Sequence, residues 1–274
     1  METPDHRLPE AVSVQRHGAR VWRRPEGFGF AHGLRCVPVT LTEAPVAAAS
    51  LPVVFQAGAG GMMPQVLLRL GLGGASPFIG PQGQWHAAWL PTRLQAYPFD
   101  LVAVPSGGQA LALHWQADVT ADSSGAQWVF AQGQGDASAL SPSAAQMAAL
   151  LQAHALALPA TASASAAVQA LGLLRPLQGD TALYVIDPEA TAALSEAAVV
   201  SLRRAGALGL VHAALVSHAH LAWMAKAERH LAAAPQAKAP LPQRAKSGAS
   251  FLSALMSAQA RDGEALFIPG LTPS

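Results

Sequence analysis

A change of hydrophobic period near residue 140 separates this chain into two kinds of segment. Before it, apolar residues come in strand-length runs punctuated by Gly and Pro. Val37-Pro38-Val39, Pro52-Val53-Val54-Phe55 and Val66-Leu67-Leu68 are of this kind. Pro98 to Val104 and Ala110 to Trp115 follow, joined by the turn-like Pro105-Ser106-Gly107-Gly108. Strict alternation is absent, as expected of strands buried on both faces.

After a Gly-, Ser- and Gln-rich stretch from Asp118 to Pro142, the spacing becomes helical. Ser143-Ala144-Ala145-Gln146 fits a capping box. Met147, Leu151, His154 and Leu158 then share one face, and Pro159 is expected to close the helix. Val168, Leu171 and Leu174 predict a second, shorter helix. Leu183-Tyr184-Val185-Ile186 reads as a strand leading into Asp187-Pro188-Glu189, a helix start with cap, first-turn Pro and acid in order. Ser195-Glu196 begins a helix expected to run to about Leu231. Its stripes, Leu208/Val211/Leu215 and Leu210/Leu221/Met224, predict a central helix apolar on more than one face.

The expected fold class is α+β. A β-rich part over 1–140 packs with a mainly helical part over 141–231, and 232–274 is a low-complexity, flexible linker and tail. In that tail Phe251, Leu252, Leu255 and Met256 form a short amphipathic patch. Leu266-Phe267-Ile268-Pro269 is an apolar cluster that suits docking on the body or a partner.

Composition narrows the classes of function. Hydrophobic residues make up 51% of the chain and charged ones 12%, as in a compact globule. The net charge of +1 provides no field for nucleic acid or an anionic membrane. Six arginines among the first 35 residues are diluted by Glu2, Asp5, Glu10 and Glu26, and read as a solvated surface. Cys36 is the single cysteine, so an intramolecular disulfide or a cysteine-rich metal site is ruled out. Its strand-like context predicts a packed thiol. The polar start Met1 to His6 is unlike a secretory signal, so cytoplasmic residence is expected. The uncharged stretch Ala205 to Ala225 is long enough to span a bilayer. His212, His218 and His220 would be costly in hydrocarbon, which favours a buried helix of a soluble core and no transmembrane segment.

Candidate chemistry is sparse. His212 and His220 share a broad helical face while His218 lies nearly opposite, and none has the i, i+4 spacing of helical zinc ligands. No metal and no cofactor is therefore expected. Gly58-Ala59-Gly60-Gly61 follows a strand, but Pro64 and the strand-like Val66-Leu67-Leu68 replace the helix that a dinucleotide loop needs. A hairpin is expected there. Nucleophile elbow, phosphate-loop and zinc-protease motifs are all lacking, and the catalytic residues are unknown. The densest side-chain signature is Gly83-Gln84-Trp85-His86-Ala87-Ala88-Trp89-Leu90-Pro91, continuing to Tyr97-Pro98-Phe99. These aromatics suit a two-sheet core, or a cleft whose candidate ligand-binding residues are Trp85, Trp89, Arg93, Tyr97 and His212.

The same segments carry a family likeness. His17 to Arg20, Phe28-Gly29-Phe30-Ala31-His32-Gly33-Leu34, Val37-Pro38-Val39, Glu43 and Leu51 to Phe55 form its N-terminal part. Gly83-Gln84-Trp85, Leu90-Pro91 and Arg93 to Phe99 form its middle. Leu183 to Asp187, Leu202, Gly206-Ala207-Leu208 and His212 to Ser217 close it. Taken in order over about residues 14 to 231, the pattern resembles the SapC family of bacterial proteins. The chain departs from it where Trp115-Gln116-Ala117-Asp118 and Phe130-Ala131 replace an acidic stretch and a Phe-Asp turn. The resemblance implies a non-enzymatic accessory or binding protein of a bacterial surface-layer or export system, with a protein partner. The alternative is an enzyme acting on a peptide or small molecule, with a pocket near Trp85, Tyr97 and His212. A third reading, peptide pairing along a strand edge, requires a long unprotected edge in the β-rich half.

Overall fold

The computed structural model describes residues 9–58, 61–71, 75–103, 108–116, 119–132 and 139–233. They fall within one compact unit, Met1–Ala233. The expectations for the 232–248 linker and for the apolar clusters at 251–256 and 266–269 concern residues that, from 234 on, lie outside those described.

The elements in chain order are β1 (Glu10–Ala11), α1 (Val14–His17), β2 (Val21–Trp22), a 3-10 turn (Gly29–Gly33), β3 (Cys36–Pro38), α2 (Ala44–Ala47), β4 (Val53–Gly58) and β5 (Gly61–Leu67). After them come α3 (Thr92–Gln95), β6 (Phe99–Ala103), β7 (Gln109–Leu113), β8 (Gln127–Trp128) and α4 (Pro142–Ala170). The chain continues with β9 (Leu174–Pro176), β10 (Leu183–Ile186), α5 (Pro188–Ala192), α6 (Glu196–Arg204) and α7 (Leu208–Ala233). The class is α+β, as the change of period implies.

The larger sheet is antiparallel with strand order β3-β5-β4-β10-β9, a smaller one has order β1-β7-β6, and β2 pairs with β8 in a third of two strands. Val53, Val54 and Phe55 of the central strand β4 are all fully buried, so both faces of the sheet are covered there. α4 packs against β5, and α7 against β4 and β10. The β4–β5 hairpin occupies the Gly58–Gly61 position, with register Gly58↔Gly61 and Gly61 at φ 100. Pro64 is tolerated in β5 because its polar groups face the end of β3. There it only has to accept, from the Val39 N–H at 3.2 Å.

The helical half departs from expectation in five ways. The cap of α4 is Ser141, whose hydroxyl accepts from the Ala144 N–H at 3.3 Å, with Pro142 in the first turn; Ser143 lies inside the helix. Pro159 does not close it. The helix runs through the proline, whose ring lies on the exposed face. The end comes at Gly172 (φ 66), where Gly172 N–H bonds Gln169 C=O and Leu173 N–H bonds Val168 C=O. That is a Schellman closure, sealed by the fully buried pair Val168 and Leu173. Leu174 consequently begins a strand rather than ending a helix.

The helix from Ser195 is likewise two helices. Gly206 (φ 68) breaks it by the same motif, with Ala207 N–H on Leu202 C=O and Gly206 N–H on Arg203 C=O. α7 is also not apolar-buried all round. Leu210, Val211, Ala213, Ala214, Ser217 and Met224 are buried, while Leu208, Val216 and Trp223 are exposed. By length and composition alone, α4 and α7 are both apolar enough to cross a membrane.

Two hydrophobic clusters result. The larger gathers the five-stranded sheet, α6, α7 and the C-terminal half of α4, through Ala164 and Val168. The smaller contains Trp22, Phe99, Leu113 and Phe130 with Met147 and Leu151 of the N-terminal half of α4. Trp22 and Phe99 meet edge to face at 4.8 Å. α4 therefore belongs to both clusters, with His154 between its two contact regions.

Candidate functional site

The described surface is indented between β3 and the α3–β6 segment. The cleft there holds about 730 Å³. One wall is Phe30, Leu34, Cys36, Val37 and Pro38; the other is Arg93, Leu94, Tyr97, Phe99, Asp100 and His114. Each wall follows from local sequence. Pro91 opens the single turn α3, which buries Leu94 and turns Arg93 towards Asp100 at the start of β6. The Tyr97-Pro98 peptide bond is cis. Tyr97 lies flat on Phe30, with ring centroids 3.8 Å apart and planes within 8°.

The stacked Phe30–Tyr97 pair also borders a second, more open depression of about 440 Å³ lined by Arg23, Glu26, Gln82, Trp115 and Gln116. Its rim is built by neighbouring contacts. The Gln116 amide holds the Arg23 main chain at both ends, accepting at 3.1 Å and donating at 2.9 Å. The Arg20 guanidinium sits 4.0 Å above the Trp115 ring. Together with Arg24 against the Met147 sulfur (3.6 Å) and Arg35 paired with Asp180, these contacts spread the N-terminal arginines over separate places.

In the main cleft the charged groups face one another. Arg93 grips both oxygens of Asp100, and Leu101 N–H donates to one of them at 2.7 Å. His114 Nε2 stands 3.8 Å from the other oxygen, and the imidazole is 5.4 Å from the Tyr97 ring. Burial alone would raise the Asp100 titration. The His114 imidazole, the Arg93 charge and the Leu101 N–H outweigh it and hold the carboxyl below its ordinary range. The Cys36 thiol is pushed up to about 11, chiefly by burial, so at neutral pH it is a packed thiol rather than a nucleophile.

Behind the cleft lies a second polar centre. Glu43 accepts from Thr40 N–H and Thr40 Oγ1, both at 2.9 Å, from Thr92 N–H at 3.2 Å, and pairs with His154 Nδ1 at 3.1 Å. The side chains of His154 and Glu43 are 5% and 13% exposed. Burial would raise the Glu43 titration, but the bonds from His154, Thr92 and Thr40 bring it down to about 2. The ionised carboxylate thus holds a proton on Nδ1, and among the described residues the buried Nε2 has no hydrogen-bond partner.

Of the five residues the sequence nominated, Arg93 and Tyr97 line the cleft. Trp85 and Trp89 do not. They pack against the larger hydrophobic cluster, with Trp85 5.5 Å from Phe28 and 6.5 Å from Phe78, and its indole N–H donating to the Trp89 carbonyl at 3.0 Å. His212 sits on the exposed face of α7. The other two histidines of that helix are dispersed as well: His220 Nε2 bonds the Ala48 carbonyl at 2.9 Å, and His218 is half-buried. Among the described residues no three His, Cys, Asp or Glu side chains cluster as metal ligands would.

Asp100, His114, Glu43 and His154 escaped the sequence reading as site residues. Asp100 lies in β6 and His114 directly after β7, and only the pairing of those strands brings them together. Glu43 and His154 stand 111 positions apart. The one available signal was a histidine on the apolar stripe of α4. Strand-edge pairing finds little room in the larger sheet, since its edge strands β3 and β9 have three residues each and both end in proline.

The SapC family model matches residues 12–224. No curated protein and no solved structure matches the chain. The match takes in the five-stranded sheet, the cleft, the Glu43–His154 pair and most of α7, and on that extent the chain belongs to the SapC family.

Proposed function

We propose that this protein is a non-enzymatic accessory or binding protein of a bacterial surface-layer or export system, working from the cytoplasm, and that the β3–α3 cleft receives a segment of its protein partner. The observation that carries this reading is how the cleft spends its polar groups. Arg93 and Asp100 neutralise each other, the one thiol is held protonated, and apart from Tyr97 and His114 the side chains of the remaining wall are apolar: Phe30, Leu34, Val37, Pro38, Leu94 and Phe99. Such a site favours burial of an apolar segment over bond-making. The link to surface layers rests on the family resemblance.

Affinity capture with the wild-type chain and with Leu34→Arg tests it. Leu34 is 40% exposed at the cleft mouth, so the arginine is accommodated by the fold while it obstructs entry. A surface-layer or secretion component should be recovered by the wild type and lost with the variant. Recovery of no such component, or equal recovery with both, refutes the proposal.

One observation favours an enzyme acting on a peptide or small molecule: Tyr97, Asp100 and His114 converge in the same cleft. That reading requires Asp100→Asn to abolish turnover while ligand binding persists.

A further inference from the structure

α3 is one turn long, and a helix of that length holds its place through tertiary contacts. Pro91 offers no side-chain cap, and the Thr92 N–H at the helix start is taken by Glu43 at 3.2 Å. Glu43 is in turn held by the Thr40 N–H and hydroxyl and by His154 from the middle of α4, which is its link to that helix. On the opposite side α3 is tied to β6 by Arg93 and Asp100. Leu94 and Arg93, directly after Thr92, form the cleft wall facing Cys36 and Val37. The position of that wall is thus set by a buried polar pair that does not itself line the cleft.

We propose that α3 is a gate on the cleft and that the Glu43–His154 pair is its latch, fastening Thr92 to α4 and releasing the Arg93–Leu94 wall when the pair parts. This regulation rests on the reading of the cleft as the binding site. The latch is well placed for such a role. His154 sits where α4 passes between the two hydrophobic clusters, each of which also supplies a residue of the cleft wall, Leu94 from the larger and Phe99 from the smaller.

Cys36, the only thiol of the chain, lines the cleft opposite α3 and reports on the gate without any ligand. The full-length protein is treated with Ellman's reagent, and the rate at Cys36 is followed together with amide exchange at Thr92. His154→Leu removes the donor to Glu43 and is expected to accelerate Cys36 modification about tenfold and to expose the Thr92 amide. His154→Asn keeps an N–H where Nδ1 was and is expected to stay within about threefold of wild type. A rate in His154→Leu within about twofold of wild type overturns the proposal. So does a rise that tracks global unfolding across a urea series, or a failure of His154→Asn to restore protection. Should His154→Leu not fold, Glu43→Gln takes its place, with an expected several-fold rise; an unchanged rate refutes the latch. None of these readouts involves a partner, so a failed latch leaves the binding reading standing, and a failed capture experiment leaves the gate standing.

Discussion

Replacing Glu43 with glutamine removes one negative charge and leaves the shape of the side chain. A carboxyl group that ordinarily titrates near 4.5 and is brought down to about 2 gains more from its neighbours ionised than burial takes away. The difference corresponds to at most roughly 3.4 kcal/mol of stability at neutral pH. Solvent reaches part of the carboxylate, so about 2–3 kcal/mol is the expected loss in Glu43→Gln at pH 7. The sign follows from the lowered value. The contribution is fully present above the unfolded titration range and disappears as pH falls through the folded one. Urea unfolding of wild type and variant at about pH 7 and about pH 3 reads both quantities, and the gap should shrink to roughly half at the lower pH. A gap at pH 7 below about 0.5 kcal/mol, or one that is the same at both pH values, would refute the account of Glu43 as a charged hub.

Three further outcomes follow from packing and backbone geometry. Gly83→Ala would place a Cβ 3.0 Å from Gly29 N and 3.1 Å from Phe28 N at φ 84, so a melting temperature lower by roughly 5 °C is expected, and an unchanged one would contradict the geometry. With its thiol pushed up to about 11, Cys36 should react with iodoacetamide at pH 7 on the order of a hundredfold more slowly than an unhindered cysteine peptide. Equal rates would show the thiol to be unprotected. Phe55→Ala empties a fully buried position of the central strand and should cost about 3–5 kcal/mol by equilibrium unfolding; less than about 1 kcal/mol would mean that the two faces of β4 are not packed as described.

Much of the fold was legible because local signals and tertiary structure agree. Leu183 to Ile186 form a strand, Asp187 caps the next helix through its side chain, and Ser195 caps the one after. The misreadings share a cause. Pro159 is locally a helix breaker, yet a proline on the outer face of a helix already held by two hydrophobic clusters costs less than the contacts that ending the helix there would forfeit. Gly172 and Gly206 are the actual terminators, and both carry the small left-handed turn that lets a buried residue after the helix seal its last turn.

The site was less legible. Trp85 and Trp89 drew attention by size, but large apolar area is as useful in a core as in a cleft, and their neighbours Phe28 and Phe78 lie elsewhere in the sequence. Arg93 and Tyr97 lie on the cleft because one short segment, Arg93 to Phe99, carries both past β3.

From the sequence alone follow the α+β class, the order of most elements, the packed character of Cys36 and membership of a family whose pattern runs in register along the chain. These depend on residues near one another, whose periodicity, caps and turns act locally. Tertiary structure alone decided that Asp100 and His114 meet across a strand pair and that Glu43 reaches His154 from 111 positions away. It also decided that α7 keeps an exposed apolar side and that His212 stands apart from the cleft. The reason is physical. A polar pair is stable in the interior only when the surrounding elements exclude water and supply its remaining hydrogen bonds, and here those elements come from distant parts of the chain.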